Sequence, residues 1–421
     1  MSARKLLDDC FLHDKQRMRH EDVLVLLGDR LAQTVGEETV PLTQALQRVC
    51  AEDVTSPIAV PQSDNAAVDG FAFSHRDYIA NDGQMPFDGT TSAGTKALPL
   101  SPGTARQIFT GAVMPEGADT LVMMEDCEMD GEFVQVPNGM KLGANRRSKG
   151  EDVPEGSTVL RSGHVISAAH IAALASIGLA KVNVRQKLRV GILSTGDEIV
   201  QPGASVQSHQ VYDANRPMLA SLLAMPAIEI VDIGHLPDDP LALSETIKSA
   251  SQRLNLIIST GGASRGGEDH MLDVLDTLGK RHIWQIAIKP GRPMMFGQVG
   301  DCVLLGLPGN PVAAFVCCLL YVRPTMARLM GVEHRAPRPI MLPAGFSVPK
   351  KKVDRREFAR AWRDEEGRAQ KFARDGSGLI SGLVAASGLI DLPEEISSVA
   401  MDELVRFIPF SEFEIAHKDQ P

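Results

Sequence analysis

The 421-residue chain has no Cys-x-x-Cys pair, no apolar leader, no Gly-Lys-Ser/Thr phosphate loop and no apolar run of membrane length. Its six cysteines are Cys10, Cys50, Cys127, Cys302, Cys317 and Cys318, the last two inside an apolar run. That spacing argues against a dithiol redox motif, and with eleven scattered histidines it argues against a zinc site. It predicts free thiols that behave as small hydrophobes. The opening residues, MSARKLLDDCFLHDKQRMRHED, are charged throughout and lack the apolar stretch of a secretion signal. The longest apolar run, Val312 to Val322, is shorter than the roughly 20 residues that cross a bilayer. The expectation is a cytoplasmic protein with no membrane partner. Positive charge is also in deficit: 43 Lys and Arg against 53 Asp and Glu give a net charge of −10. Nonspecific nucleic-acid binding needs many phosphate-neutralising cations, so nucleic acid is not an expected partner. A local basic pocket remains compatible with that balance.

What is present is an ordinary globular composition, 43% hydrophobic and 23% charged, over a length that suggests about two to four domains. Residues 17–50 read as helical, with Val23, Leu24, Leu26, Leu27 and Leu31 at helical spacing. From about 57 to 150, short strand-like pieces alternate with Gly and Pro turns. Residues 164–179, HVISAAHIAALASIGL, predict a helix. From about 190 to 335 strands and helices alternate, which predicts a parallel sheet with helices on both faces. After Pro337 the rhythm stops, and short strands suggest a small β domain.

In an open parallel sheet, ligands bind beyond the carboxyl ends of the strands. The loops there are Ser194-Thr195-Gly196-Asp197-Glu198, Leu236-Pro237-Asp238-Asp239, the Gly-rich stretch from Thr260 to Asp269, and Leu307-Pro308-Gly309-Asn310-Pro311. Small residues such as Gly196, Gly261 and Gly262 let backbone N–H groups approach an anion. Ser194, Thr195, Thr260 and Ser264 add hydroxyls, and Lys289 and Arg292 flank a Pro-Gly turn. Donors and cations suit phosphate. Carboxylates beside phosphate suit Mg²⁺, and Glu198, Asp238 and Asp269 are the candidate ligands. Each piece also has a plainer reading: Gly261-Gly262 as a turn, Asp238-Asp239-Pro240 as a helix cap. Outside this region, Asp64 to Gly70 pairs two acids around small residues and reads most simply as a turn; the mixed-charge run Asn145 to Asp152 reads as a solvated loop that could also bring cations to a phosphate and Asp152 to a metal.

Seven ordered motifs carry a resemblance along nearly the whole chain. They are PQSDNAAVDGFAF (61–73), FTGAVMPEGADTLVMMED (109–126), NRRSKGEDVPEG (145–156), LSTGDEIV (193–200), TGGASRGGED (260–269), IKPGRPMMFG (288–297) and GLPGNPVAAF (306–315). The sequence resembles the MoeA/gephyrin E-domain family, the molybdenum-inserting enzymes of molybdenum cofactor synthesis. The resemblance implies an α/β multidomain subunit: a helical linker domain (1–56 with 155–186), an inserted β-rich domain (57–154), a molybdopterin-binding α/β domain (187–335) and a C-terminal β-barrel-like domain (336–421). It implies a homodimer whose active site lies between the α/β domain of one subunit and the inserted domain of the other. The implied reaction takes adenylylated molybdopterin and molybdate, inserts molybdenum and releases AMP with Mg²⁺ assisting. A molybdopterin adenylyltransferase and apo-molybdoenzymes are further implied partners.

Motif by motif, the resemblance puts catalytic roles on Asp64, Thr110, Asp152, Glu198, Asp238 and Asp269. Arg146, Lys289, Arg292 and Arg360 would neutralise phosphate or molybdate. Pro308, Asn310, Pro311 and Ser377 would line the substrate site, and Arg356 would face the cleft with Arg360. The chain departs from many relatives at Ala66-Ala67-Val68, where Ser-Ala-Met is common, and at Gln285, where some carry a second lysine. The alternative is a non-catalytic molybdopterin carrier or scaffold paralogue, against which the retained acidic set speaks.

Overall fold

The strand Leu256–Thr260 is buried at every residue. Its neighbours explain why. It lies parallel between Leu188–Thr195 and Cys302–Leu307, with Ile228–Leu236 parallel beyond the first of these. A strand covered on both faces reads as an unbroken apolar run rather than an alternating one. The alternation survives in the packing: Leu256 and Ile258 join one core, Ile257 the other. The first core is closed by the helices His20–Arg30, Asn215–Leu223 and the long helical run from Pro311. The second is closed by Pro240–Ser251 and Met271–Leu278. Each fully buried Leu, Ile or Val contributes roughly 1.5–3 kcal/mol.

The computed structural model describes residues 17–261, 270–374 and 376–415, with Trp284 described in its backbone only. The chain forms a mixed α/β protein of two compact units. The first comprises the chain up to Glu52, Ser162–Ser167 and everything from Lys181 onward; the second comprises Asp53–Arg161 and Ala168–Ala180.

In the first unit the sheet order runs Ile228–Leu236, Leu188–Thr195, Leu256–Thr260, Cys302–Leu307, Pro293–Val299, Lys280–Gln285. The last two strands are antiparallel, which corrects the expectation of a wholly parallel sheet. The cause is a tight hairpin: Gly300, at φ +60°, turns Pro293–Val299 directly into Cys302–Leu307, leaving no room for a crossover helix. The helical reading of 17–50 also needs correcting. The helix stops at Arg30, and Glu37–Pro41 forms a strand against Lys181–Arg185, with Val40 opposite Val182. Pro41, which cannot sit inside a helix, and the exposed run before the buried Val40 favour that extended state. The helix expected over 164–179 is Ala168–Ser176.

The helical run Pro311–Leu329 is long and apolar enough by composition to cross a membrane, longer than the apolar run alone suggests. Yet 78% of its most apolar window is buried inside the protein, as in a core helix. Pro324, which has no N–H to donate, follows a widened π turn at Cys318–Val322 that lets the helix continue. Of the cysteines, Cys50, Cys302, Cys317 and Cys318 are buried and Cys127 is half-buried.

The C-terminal sheet has the order Ile288–Lys289, Arg356–Arg363, Gly388–Leu392, Leu404–Pro409, Ile340–Pro343, and Ala369–Lys371 pairs with Arg356–Arg363. Its first strand comes from the middle of the chain. Ile288 and Lys289 pair in parallel with Arg356 and Glu357.

The second unit is built on a six-stranded sheet in the order Thr120–Met123, Gly70–Phe73, Ala105–Ile108, Gln84–Thr91, Phe133–Gln135, Glu128–Asp130. Phe71, Phe73, Tyr78, Met85 and Val134 pack in one cluster, Ala72, Ile108 and Leu121 in another. Gly70 is required where it stands: a Cβ there would lie 1.8 Å from the Val122 carbonyl oxygen.

Candidate functional site

The four parallel strands end at one edge, and the loops expected to carry chemistry meet there. Ser194 is buried, and its hydroxyl donates to Asp213 Oδ2 at 2.7 Å. Its hydroxyl proton is thus engaged by a neighbouring carboxylate. Asp213 also accepts from the Arg216 backbone N–H and from Arg216 Nε, while Arg216 Nη1 reaches Asp232 Oδ1 at 2.6 Å. Burial pushes the Asp213 carboxyl up, but the bonds from Ser194 and Arg216 outweigh it and hold its pKa below the ordinary value. The network ties the end of one strand, at Ser194, and the middle of another, at Asp232, to the start of a helix. Thr195 is buried, and its Oγ1 has no hydrogen-bond partner among the described residues.

Asn215, which no sequence motif marks, ties two of the loops together. Its Nδ2 donates to Thr260 Oγ1 at 2.7 Å and to the Gly309 carbonyl at 2.6 Å. Gly261 sits at φ +88°, and a Cβ there would come within 2.5 Å of the Thr195 carbonyl oxygen. Three loops are therefore in close register through Thr195, Gly261 and Gly309. Gly262, Ser264 and Asp269 lie outside the described residues.

Glu198 and Asp238 occupy neighbouring loops. A Cβ on Gly196 would lie 2.5 Å from Glu198 Oε2, so that carboxylate rests over the glycine. Asp238 and Asp197 exchange bonds: each backbone N–H donates to the other's carboxylate, at 3.2 and 3.4 Å. The cap of the following helix is Asp239, whose Oδ1 accepts from the Leu241 N–H, so Asp238 does not serve that plainer role. Among the described residues no three His, Cys, Asp or Glu side chains group closely enough to hold a metal.

Beside the Pro308-Gly309-Asn310 turn lies a cavity of about 260 Å³. It gathers six residues singled out from sequence: Lys289, Arg292, Pro308, Asn310, Arg360 and Ser377. Arg355, Glu357, Lys371 and Phe372 also line it, and no motif pointed to them. Pro311 opens the adjoining helix, and the Val312 N–H donates to the Ser377 carbonyl at 3.0 Å, joining the turn to the C-terminal segment. Arg292 sets its Nε and Nη2 against Gln285 Oε1, each at 3.3 Å. Arg360 lies over the Phe372 ring, its guanidinium carbon 4.8 Å from the centroid, and donates to the carbonyls of Leu379, Arg374 and Gly376. It therefore shapes the wall around Ser377. Arg356 does not face the cavity. It is buried against Asp391, which corrects the expectation that it faces a cleft.

In the second unit Asp64 pairs with Arg146, with Nη1 3.1 Å from Oδ2, and Asp64 Oδ1 accepts from the Lys149 N–H. Thr110 donates both its N–H and its hydroxyl to Asp69 Oδ1, each at 2.7 Å. Those bonds, the hydroxyl's first, hold the Asp69 carboxyl below its usual pKa. The 111–114 turn donates from Gly111 to Ala66 and from Met114 to Asp64, so the two pairs belong to one loop cluster. Asp152 is exposed, and its backbone N–H is anchored to the Val60 carbonyl.

Residues 16–178 match the MoeA N-terminal region (domain I and II), residues 191–328 a probable molybdopterin binding domain, and residues 342–410 the MoeA C-terminal region (domain IV). The chain is 36% identical over 383 residues to a molybdopterin molybdenumtransferase of Haemophilus influenzae, covering 89% of this chain and 94% of that one. The chain belongs to the MoeA family. A second relative, molybdopterin molybdenumtransferase 2 of Mycobacterium tuberculosis, is 33% identical over 376 residues, 86% of this chain and 92% of that one. The crystal structure of the molybdopterin biosynthesis MoeA protein from Pyrococcus horikoshii superposes with a TM-score of 0.82 at 26% identity, covering 94% of this chain and all of that one. Within the MoeA family match, the cavity joins residues of the molybdopterin-binding match to residues of the C-terminal match.

Proposed function

We propose that this chain is a molybdopterin molybdenumtransferase that inserts molybdenum from molybdate into adenylylated molybdopterin and releases AMP. The observation that carries the reading is the cavity lined by Lys289, Arg292, Arg355, Arg360 and Lys371 at the carboxyl edge of the sheet. A concave site rich in cations suits a small oxyanion or a phosphate group. Lys289 supplies a compact charge on a short strand, and Arg292 a planar fork. Asn215, by holding Thr260 to Gly309, presents the loops that would cradle the pterin phosphate. The Asp64–Arg146 and Asp69–Thr110 pairs of the second unit would complete a site made between subunits of a homodimer.

Mg²⁺ takes one or two carboxylates, waters and substrate oxygens. Glu198 and Asp238, on adjacent loops with Glu198 over a bare glycine, fit such a partial donor set, and Asp269 would join them. The ion would neutralise phosphate charge on the bound nucleotide. The protein would act in the cytoplasm, between a molybdopterin adenylyltransferase and the apo-molybdoenzymes that receive the cofactor.

The test is reconstitution. Purified protein, adenylylated molybdopterin, Mg²⁺ and micromolar molybdate are incubated, and AMP release and activation of an apo-molybdoenzyme are followed. Both signals, lost together in Lys289→Ala, are expected. Tight pterin binding with neither signal would instead identify a carrier.

A further inference from the structure

The cavity holds one carboxylate among its described lining residues, and its placement is built into the sheet. Glu357 sits opposite Lys289 in the parallel pairing of Ile288–Lys289 with Arg356–Arg363. Its Oε2 is 3.5 Å from Lys289 Nζ, and its Oε1 is 3.2 Å from Arg355 Nε. The side chain is mostly covered, with 17% of its surface exposed. The contact to Lys289 lies at the outer limit of a hydrogen bond, so it is electrostatic rather than a locked geometry. Arg292 contacts the neutral Gln285, and Arg360 donates to backbone carbonyls.

We propose that Glu357 is a resident counter-anion of the pocket, displaced from Lys289 and Arg355 when an oxyanion enters. The proposal rests on the reading of this cavity as the oxyanion site. Glu357 offsets the mutual repulsion of Lys289 and Arg355. When a divalent oxyanion arrives, the carboxylate becomes a like charge beside it, which weakens binding. The pocket thus keeps its cations ordered without trapping its ligand. Glu357 acts by setting oxyanion affinity, not by reacting.

The experiment is calorimetric titration of molybdate and of sulfate into the full-length wild type, Glu357→Gln, Glu357→Ala and Lys289→Gln, with melting temperatures recorded for each. Removing the carboxylate is expected to tighten both oxyanions about three- to tenfold, the scale of a partly screened charge pair. In the transfer reaction the KM for molybdate should fall by a similar factor. Lys289→Gln should weaken binding. Unchanged or weaker binding in folded Glu357→Gln and Glu357→Ala would show that the carboxylate does not compete with the oxyanion, and would overturn the proposal. Opposite signs in the two variants, or failure of both to fold, would overturn it as well by making Glu357 structural. Wild type that binds neither oxyanion, or binding that ignores Lys289→Gln, would reject the cavity reading itself and the proposal with it.

Discussion

Arg356 and Asp391 form a two-pronged ion pair in the interior of the C-terminal sheet, with Nε 2.7 Å from Oδ1 and Nη2 2.8 Å from Oδ2. The Asp391 side chain is fully covered. Arg406 Nε lies 3.1 Å from its second oxygen, and Glu21 Oε1 3.1 Å from Arg356 Nη1. Removing Asp391 takes away both prongs and leaves the buried Arg356 guanidinium with the exposed Glu21 as its ion-pair partner. Asp391→Ala is therefore expected to destabilise the protein by roughly 3–5 kcal/mol in urea unfolding. A loss below about 1 kcal/mol would show that water reaches Arg356 in the variant.

His20 predicts an acid limb in the stability curve. Its Nδ1 lies 2.9 Å from the Tyr321 hydroxyl, and its ring is packed edge-on against Tyr321 and Phe358. Burial, aided by the positive charge of Arg356, lowers its pKa to about 3. The folded value is below the unfolded one of 6.5, so the unfolded chain binds more protons between them. The stability from neutral His20 is fully present above about pH 6.5 and is lost as pH falls toward 3. Urea midpoints of wild type should drop between about pH 6.5 and pH 4 more steeply than those of His20→Gln. Equal slopes would remove His20 from the account.

Gly261→Ala tests the close approach of the loops. The new methyl would be forced into φ +88° and within 2.5 Å of the Thr195 carbonyl. The expected outcome is about 1–3 kcal/mol of lost stability with at least a roughly tenfold fall in molybdenum transfer. Gly131→Ala is the control: at φ +61° it meets nothing within 4 Å, so it should show strain alone and leave transfer intact.

Asn215→Ala removes the donor shared by Thr260 and Gly309. The Gly309 carbonyl loses its side-chain donor, and the Thr260 hydroxyl is left with its 3.4 Å contact to the Pro308 carbonyl, at about 0.5–1.5 kcal/mol for each bond lost. Because the two loops then lose register, kcat for transfer should fall more than the melting temperature alone explains. Asn215→Asp, which keeps the shape but not the donor, should behave alike. A fully active Asn215→Asp would show that the bond does not position the loops.

The parallel core was legible because strands covered on both faces, such as LIIST and CVLLGL, have long apolar runs with few polar positions to hide the signal. The antiparallel edge was not. PMMFGQV lies between a Pro-Gly turn and a second tight turn, and its apolar run carries no sign of strand direction. The cavity was half legible. Lys289, Arg292, Asn310 and Ser377 sit in recognisable motifs, whereas Glu357 and Arg355 flank Arg356, whose polar side chain is buried by a partner 35 residues away. A buried arginine breaks the polar and apolar alternation that would have shown which side of the strand is open. Asn215 escaped notice because its two partners lie on loops remote in sequence. The metal assignment depends partly on Asp269, outside the described residues.

The pairing of Ile288–Lys289 with Arg356–Glu357 limits how the protein can be cut. A chimaera joined near residue 336, where composition changes, would divide a single sheet between two fragments. The front fragment would keep Lys289 on a strand with unpaired backbone donors and acceptors, an edge prone to stray association. The rear fragment would keep Glu357 without the lysine opposite it. Exchange of this region between relatives should succeed only when 288–292 and 355–360 travel together, so these two stretches form one inheritable piece despite the chain that separates them.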